Sequence, residues 1–263
     1  MTFVAKIFLV HLKHQFFFLL TALCLLISCG GPGERIKEIA AVTPTPAPPP
    51  TEREISGVFN VAGAGENGVD PYTGSLTVAP KGDNYEFRWS TTKGTRVGTG
   101  VQLDGSTAAT FATTGGGHGC GVALYKIATD GSLDGRVAKW GETTFDIEKG
   151  HHTEGHGIVG KYNIDGLFFG GTHSDVPKAY SGILSIAKDG AGYDFEWNTD
   201  KPDEWNVRKY VGFGIWKGSY AAVSFGGPQC SFALYDVQSN GSLDGVWGGQ
   251  KKVTFGKETA KRQ

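Results

Sequence analysis

Aromatic and charged residues alternate along Tyr85-Glu86-Phe87-Arg88-Trp89, and the pattern returns at Tyr193-Asp194-Phe195-Glu196-Trp197. Side chains two apart share one face of a strand, so the aromatics face one way and the charges the other. This predicts a half-buried antiparallel strand with one face on a core and one in water. In both places a turn at Gly82 or Gly190 and an earlier strand starting at Tyr72 or Tyr180 complete a hairpin.

The repetition extends well past this hairpin. Ile55-Ser-Gly57-Val-Phe59 matches Ile158-Val-Gly160-Lys-Tyr162, and Cys120-Gly-Val-Ala-Leu-Tyr125 matches Cys230-Ser-Phe-Ala-Leu-Tyr235. Gly131-Ser-Leu-Asp-Gly135 matches Gly241-Ser-Leu-Asp-Gly245, and Glu148 matches Glu258. A unit of roughly 100 residues is long enough for a small domain with its own core. Alternation and turn signals predict strands near 55–61, 72–79, 84–90, 96–102, 106–112, 120–127, 132–139 and 143–148. The second set falls near 158–164, 180–187, 192–198, 209–216, 219–225, 230–237, 242–248 and 252–257. Asp104-Gly105, Asp130-Gly131, Asp189-Gly190 and Asn240-Gly241 supply the turn chemistry that short hairpins need. Short strands in meander order remove their exposed edges by closing into a barrel.

The expected fold is therefore all-β, with two tandem eight-stranded antiparallel meander barrels of avidin or lipocalin type. The expected bounds are 55–149 and 158–258, with a His-rich linker at 150–157 and a tail at 259–263. A pair of sandwiches, or one barrel drawing strands from both halves, also fits the pattern.

The spacing between equivalent residues changes along the chain, as Gly57/Gly160, Tyr72/Tyr180, Gly100/Gly214 and Cys120/Cys230 show. The large changes fall in the loops after strands 1, 3 and 5, which a meander gathers at one end. Loops that vary in length are tolerated where packing does not fix the chain, and binding residues are often found there. In the second repeat these loops carry Leu167, Phe168, Phe169 and Trp205. Clustered exposed aromatics mark contact surfaces. The same residues would equally serve as a barrel plug or an interdomain contact.

The N-terminus reads as an address. Lys6 and Lys13 give a basic start, and 16–28 is an apolar run that ends in Leu26-Ile27-Ser28-Cys29-Gly30. A run of about 13 residues is short for a bilayer span. It resembles the signal peptide and lipobox of bacterial lipoproteins, over residues 1–28. The resemblance implies that Cys29 is acylated, becomes the mature N-terminus and places the protein in the cell envelope, at the outer membrane or cell surface. Residues 29–54 include Pro44, Pro46, Pro48, Pro49 and Pro50, which favour an extended polyproline tether.

Composition narrows the function. A formal net charge of -1 lacks the basic bias of a nucleic-acid binder. His151, His152, Glu154 and His156 form a weak candidate metal site, since imidazoles with a carboxylate suit Zn or Ni. Cys120 and Cys230 occupy equivalent positions and pair only if the two barrels meet there; two buried thiols fit equally. Asp134, Asp244, Glu148 and Glu258 read as turn formers and barrel-end hydrogen-bonding groups rather than as an acid–base pair. No hydrolase elbow, phosphate loop or His-Glu-x-x-His motif occurs, so neither an enzyme nor a cofactor is expected.

The pattern Gly57-Val-Phe59-Asn-Val61-Ala-Gly63, together with Tyr125-Lys-Ile127-Ala-Thr-Asp130-Gly131-Ser-Leu133-Asp-Gly135, resembles a family of small exported bacterial domains labelled fibronectin-binding proteins. The resemblance covers both repeats, with Trp247 matching a final Trp where the first repeat has Val137. It implies an envelope binding or adhesion module with an extracellular or envelope protein as partner. A carrier of a small apolar ligand inside a barrel is the alternative, and an envelope enzyme or inhibitor the second.

Overall fold

The structure, a computed structural model, describes residues 53–112, 119–168, 177–202, 206–250 and 254–263. In the first half the strands are β1 (Gly57–Ala64), β2 (Tyr72–Lys81), β3 (Asn84–Thr91), β4 (Gly94–Leu103), β5 (Ser106–Ala112), β6 (Gly121–Ile127), β7 (Leu133–Lys139) and β8 (Asp146–His156). In the second half they are β9 (Val159–Phe168), β10 (Lys178–Asp189), β11 (Gly192–Thr199), β12 (Lys209–Lys217), β13 (Tyr220–Phe225), β14 (Cys230–Val237), β15 (Leu243–Gly249) and β16 (Gly256–Arg262).

These strands close into two eight-stranded antiparallel barrels. The barrels do not follow the repeat boundaries. The first runs β1-β16-β15-β14-β5-β4-β3-β2, and the second runs β10-β11-β12-β13-β6-β7-β8-β9. Each takes five strands from one half of the chain and three from the other. The seams are β5 against β14, with Ala112 opposite Cys230, and β13 against β6, with Phe225 opposite Gly121. The terminal strands of the described chain close the first barrel, as Phe59 pairs with Arg262.

Strand chemistry explains the exchange. Along β5 every residue is buried, and β6, β13 and β14 are buried almost throughout. One face of each points into its own barrel. The other supplies an interbarrel core that includes Val101, Val122, Leu124, Phe213, Phe232 and Leu234. Strands buried on both faces need apolar residues at successive positions rather than alternation. Polar contacts ring this core: Lys126 pairs with Asp104 at 2.6 Å and Lys217 with Asp236 at 2.6 Å. Cys120 and Cys230 are disulfide-bonded, and since one precedes β6 and the other begins β14, the bond ties one barrel to the other.

Two expected boundaries change. The His-rich linker is the outer part of β8, paired with β9 through His151–Asn163 and His152–Tyr162, with a bulge before Glu154. The C-terminal tail belongs to β16, where Thr259, Ala260 and Lys261 pair with β1. In both places a neighbouring strand supplies the ladder partner that a local reading cannot see.

Inside the first barrel Phe87 stacks between Trp89 (5.6 Å) and Tyr235 (6.2 Å). Phe195 repeats this between Trp197 (5.8 Å) and Tyr125 (6.5 Å) in the second. Ile55 and Ile158, at equivalent positions before β1 and β9, are buried in their respective cores. The aromatic faces inferred from alternation thus point inward.

Candidate functional site

Each barrel contains the same buried hydrogen-bonded tetrad. In the first, Glu258 on β16 accepts bonds from Tyr72 Oη (2.7 Å), Tyr235 Oη (2.5 Å) and Trp89 Nε1 (3.1 Å). In the second, Glu148 on β8 accepts from Tyr180 Oη (2.7 Å), Tyr125 Oη (2.5 Å) and Trp197 Nε1 (3.1 Å). Both tetrads are composite. Tyr72 and Trp89 come from the first half of the chain, Tyr235 and Glu258 from the second. Tyr125 and Glu148 come from the first, Tyr180 and Trp197 from the second. The strand exchange is what assembles them.

The repeated Gly-Ser-Leu-Asp-Gly motif makes room for this. A Cβ on Gly245 would lie 2.4 Å from the Tyr235 ring, and one on Gly135 would lie 2.5 Å from the Tyr125 ring. Only glycine lets the phenol lie flat across the neighbouring strand. The start of the motif is a turn in which Asp130 Oδ1 accepts from Ser132 N and Oγ, and Asn240 Oδ1 accepts from Ser242 in the same way.

Burial pushes the Glu148 carboxyl above its usual range, while the bonds from Tyr125, Tyr180 and Trp197 pull it back in part. Burial, and then the nearby carboxylates, hold the Tyr125 and Tyr235 phenols well above their ordinary value. These hydroxyls therefore remain protonated donors at physiological pH. Such tetrads fix a buried carboxyl in place and give each barrel a polar floor.

Above the floor the two barrels diverge. The first has a cavity of about 590 Å³ walled by Trp89, Phe111, Tyr235 and Trp247, with Arg96 beside Phe111. Its second-barrel counterpart measures about 40 Å³. Register identifies the cause. Gly63 opposite Tyr72 corresponds to Gly166 opposite Tyr180, so Phe168 stands where the first barrel has Gly65. Phe168 stacks on Tyr180 at 4.2 Å and fills the space. Tyr210 occupies the place of Arg96, opposite Trp197 as Arg96 is opposite Trp89. Lys139 lies 5.7 Å from the Phe168 ring centre and 6.0 Å from that of Tyr210. Asp146, opposite Val137, takes the place of Gly256, opposite Trp247.

The mouth of the first cavity is formed by Gly65, Asn67 and Asp70 after β1, Lys93 between β3 and β4, and Thr254 before β16. It lies at the end whose loops change length between the repeats. Of the residues expected to bind there in the second repeat, Phe168 is half-buried as a stopper, and Leu167 is 37% exposed. Phe169, Trp205 and Cys29 lie outside the described residues.

The candidate metal site does not assemble. Glu154 pairs with Lys161 at 2.9 Å, and His152 packs on Tyr162 at 4.7 Å. His151 and His152, as neighbours on a strand, face opposite sides. Among the described residues no three His, Cys, Asp or Glu side chains cluster to hold a metal. The sequence carried one sign of the cavity, Gly65 in the first repeat against Phe168 in the second. No protein-family model, curated protein or solved structure matches this chain.

Proposed function

We propose that this protein is an envelope lipoprotein that binds a small ring-bearing ligand inside its first barrel. The observation that carries the proposal is the asymmetry between two barrels built on the same tetrad. One holds about 590 Å³ of space, and the other is stoppered to about 40 Å³. A concave pocket of several hundred Å³ with aromatic walls and convergent polar groups is the ordinary form of a small-molecule site. Here Trp89, Phe111 and Trp247 form walls, and Glu66, Asp70, Lys93 and Arg96 are among the polar groups. The second barrel then serves as a structural partner that supplies three strands to the first. Adhesion through the loop end of the second repeat takes second place, because Phe168 packs against Tyr180 instead of projecting outward.

The test uses the neutral fluorescent probe N-phenyl-1-naphthylamine. The full chain is expected to bind it saturably, and Gly65→Phe, which installs the second barrel's stopper, is expected to abolish binding. Gly65 has extended backbone (φ -65, ψ -175) that phenylalanine adopts readily. Its new Cβ would meet Val69 O at 3.1 Å, a contact that a small loop shift relieves. Binding that survives Gly65→Phe would place the probe elsewhere and remove the proposal.

The anchor is tested separately. Cys29→Ala is expected to move the protein from the membrane fraction to the soluble one and to eliminate acyl mass from its N-terminus, because anchoring would rest on those chains. Unchanged fractionation and mass would show that Cys29 carries no lipid.

A further inference from the structure

We infer that the ligand of the first barrel is an aromatic organic anion, with its acidic group at Arg96 near the mouth and its rings against the aromatic wall. The inference rests on the first-barrel site proposed above and adds the charge and orientation of what fills it.

Arg96 lines the cavity. It lies on β4, half-buried, with its guanidinium 5.4 Å from the Phe111 ring centre. Among the described residues it makes no hydrogen bond or ion pair. A guanidinium has five N–H donors and stays charged, so burying part of it without an anion is unfavourable unless one arrives. The other cation at the rim is already engaged, since Lys93 pairs with Asp70 at 3.5 Å. The second barrel has Tyr210 in the position of Arg96 and only about 40 Å³ of space, too little for a ring-bearing ligand.

Carboxyl groups line the cavity at both ends, Glu258 at the floor and Glu66 and Asp70 toward the mouth. Glu258 at the floor is 5% exposed and already accepts bonds from Tyr72, Trp89 and Tyr235. With those three donors spent on Glu258, an acidic ligand group placed at the floor would find no free donor there. An anionic ligand therefore enters rings first and leaves its acidic group at Arg96, where a planar fork grips a carboxylate, sulfonate or phosphate through paired hydrogen bonds. The wall favours flat rings over branched chains. Trp89 and Phe111 meet at 5.2 Å with a 55° tilt, and Tyr72 and Trp247 at 6.3 Å with 59°. Tilted aromatic faces of this kind accept a further ring by stacking or by edge contact.

Two probes with the same rings separate charge from shape. They are 8-anilino-1-naphthalenesulfonate and the neutral N-phenyl-1-naphthylamine, titrated into the full chain. Arg96→Gln is expected to weaken the sulfonate probe about tenfold or more, as loss of a charge-assisted hydrogen bond does, and to leave the neutral probe unchanged. Arg96→Lys, which keeps the charge and loses the fork, is expected to fall between. Thermal midpoints of both variants check that the barrel remains closed. Equal loss of both probes in Arg96→Gln, or no loss of the sulfonate probe, would overturn the anion assignment while leaving the cavity as a binding site. Failure of both probes to bind the unaltered protein, or their persistence in Gly65→Phe, would overturn the site itself.

Discussion

A chain cut between His156 and Gly157 is expected to remain one particle after its disulfide is reduced. That position is exposed and lies in the β8–β9 hairpin, so a protease recognition sequence fits there without entering a ladder. Cys120 and Cys230 fall on opposite sides of the cut, so the bond must be reduced before association is judged. Each barrel then still needs strands from both fragments. The β1–β16, β5–β14, β6–β13 and β8–β9 ladders all join one fragment to the other. Each ladder hydrogen bond contributes about 1 kcal/mol net, and each buried side chain of the interbarrel core about 1.5–3 kcal/mol. Size-exclusion chromatography or native mass spectrometry at nanomolar concentration should detect only the paired fragments. Two separately folded pieces after reduction would mean that each half closes its own barrel, and the exchange would be wrong.

Much of this architecture was legible locally, for physical reasons. Alternation in Tyr85–Trp89 and Tyr193–Trp197 placed three residues of each strand on the core face, and all of them pack there. Hairpin turns such as Asp104-Gly105, where φ is 48° and 87°, fixed strand ends because few residues other than glycine adopt such angles. What could not be read was which half pairs with which. β5 against β6 and β5 against β14 satisfy the same local rules, since β6 and β14 are copies of one sequence. The discriminating signal was energetic and nonlocal. Val122, Leu124, Phe232 and Leu234 alternate with Ala123, Tyr125, Ala233 and Tyr235, so both faces are apolar and need cover. The cysteines at equivalent positions pointed the same way, because they bond only across a shared seam. For the site, Glu148 and Glu258 were recognisable as hydrogen-bonding groups, but their donors were not. Tyr72, Trp89 and Tyr235 converge on Glu258 only once strands from both halves are interleaved.

Glu148→Ala is expected to be among the most damaging single substitutions in the second barrel. It removes the acceptor of two phenols and one indole that have little access to water. A buried donor left unsatisfied costs about 1–3 kcal/mol; Trp197 Nε1 keeps Tyr125 Oη as a second acceptor at 3.0 Å, so the two phenols together cost roughly 2–6 kcal/mol. For a protein of this size that is a fall of roughly 5–20 °C in thermal midpoint. Glu148→Gln keeps one carbonyl acceptor and nearly the same shape, so its loss should be smaller and its value lies in the pH profile. Burial raises the folded-state pKa of Glu148 above that of the unfolded chain. The folded state therefore holds this proton more tightly, and the stability contributed by protonation is complete below about pH 4.3, the ordinary glutamate value. It declines as pH rises through the raised folded value and is then lost. The unaltered protein should lose stability relative to Glu148→Gln across that window, with a constant difference above it. Denaturant midpoints measured from pH 4 to pH 8 give the difference directly. Parallel profiles for the two proteins would show that Glu148 keeps an ordinary pKa and that its three donors compensate fully for its burial.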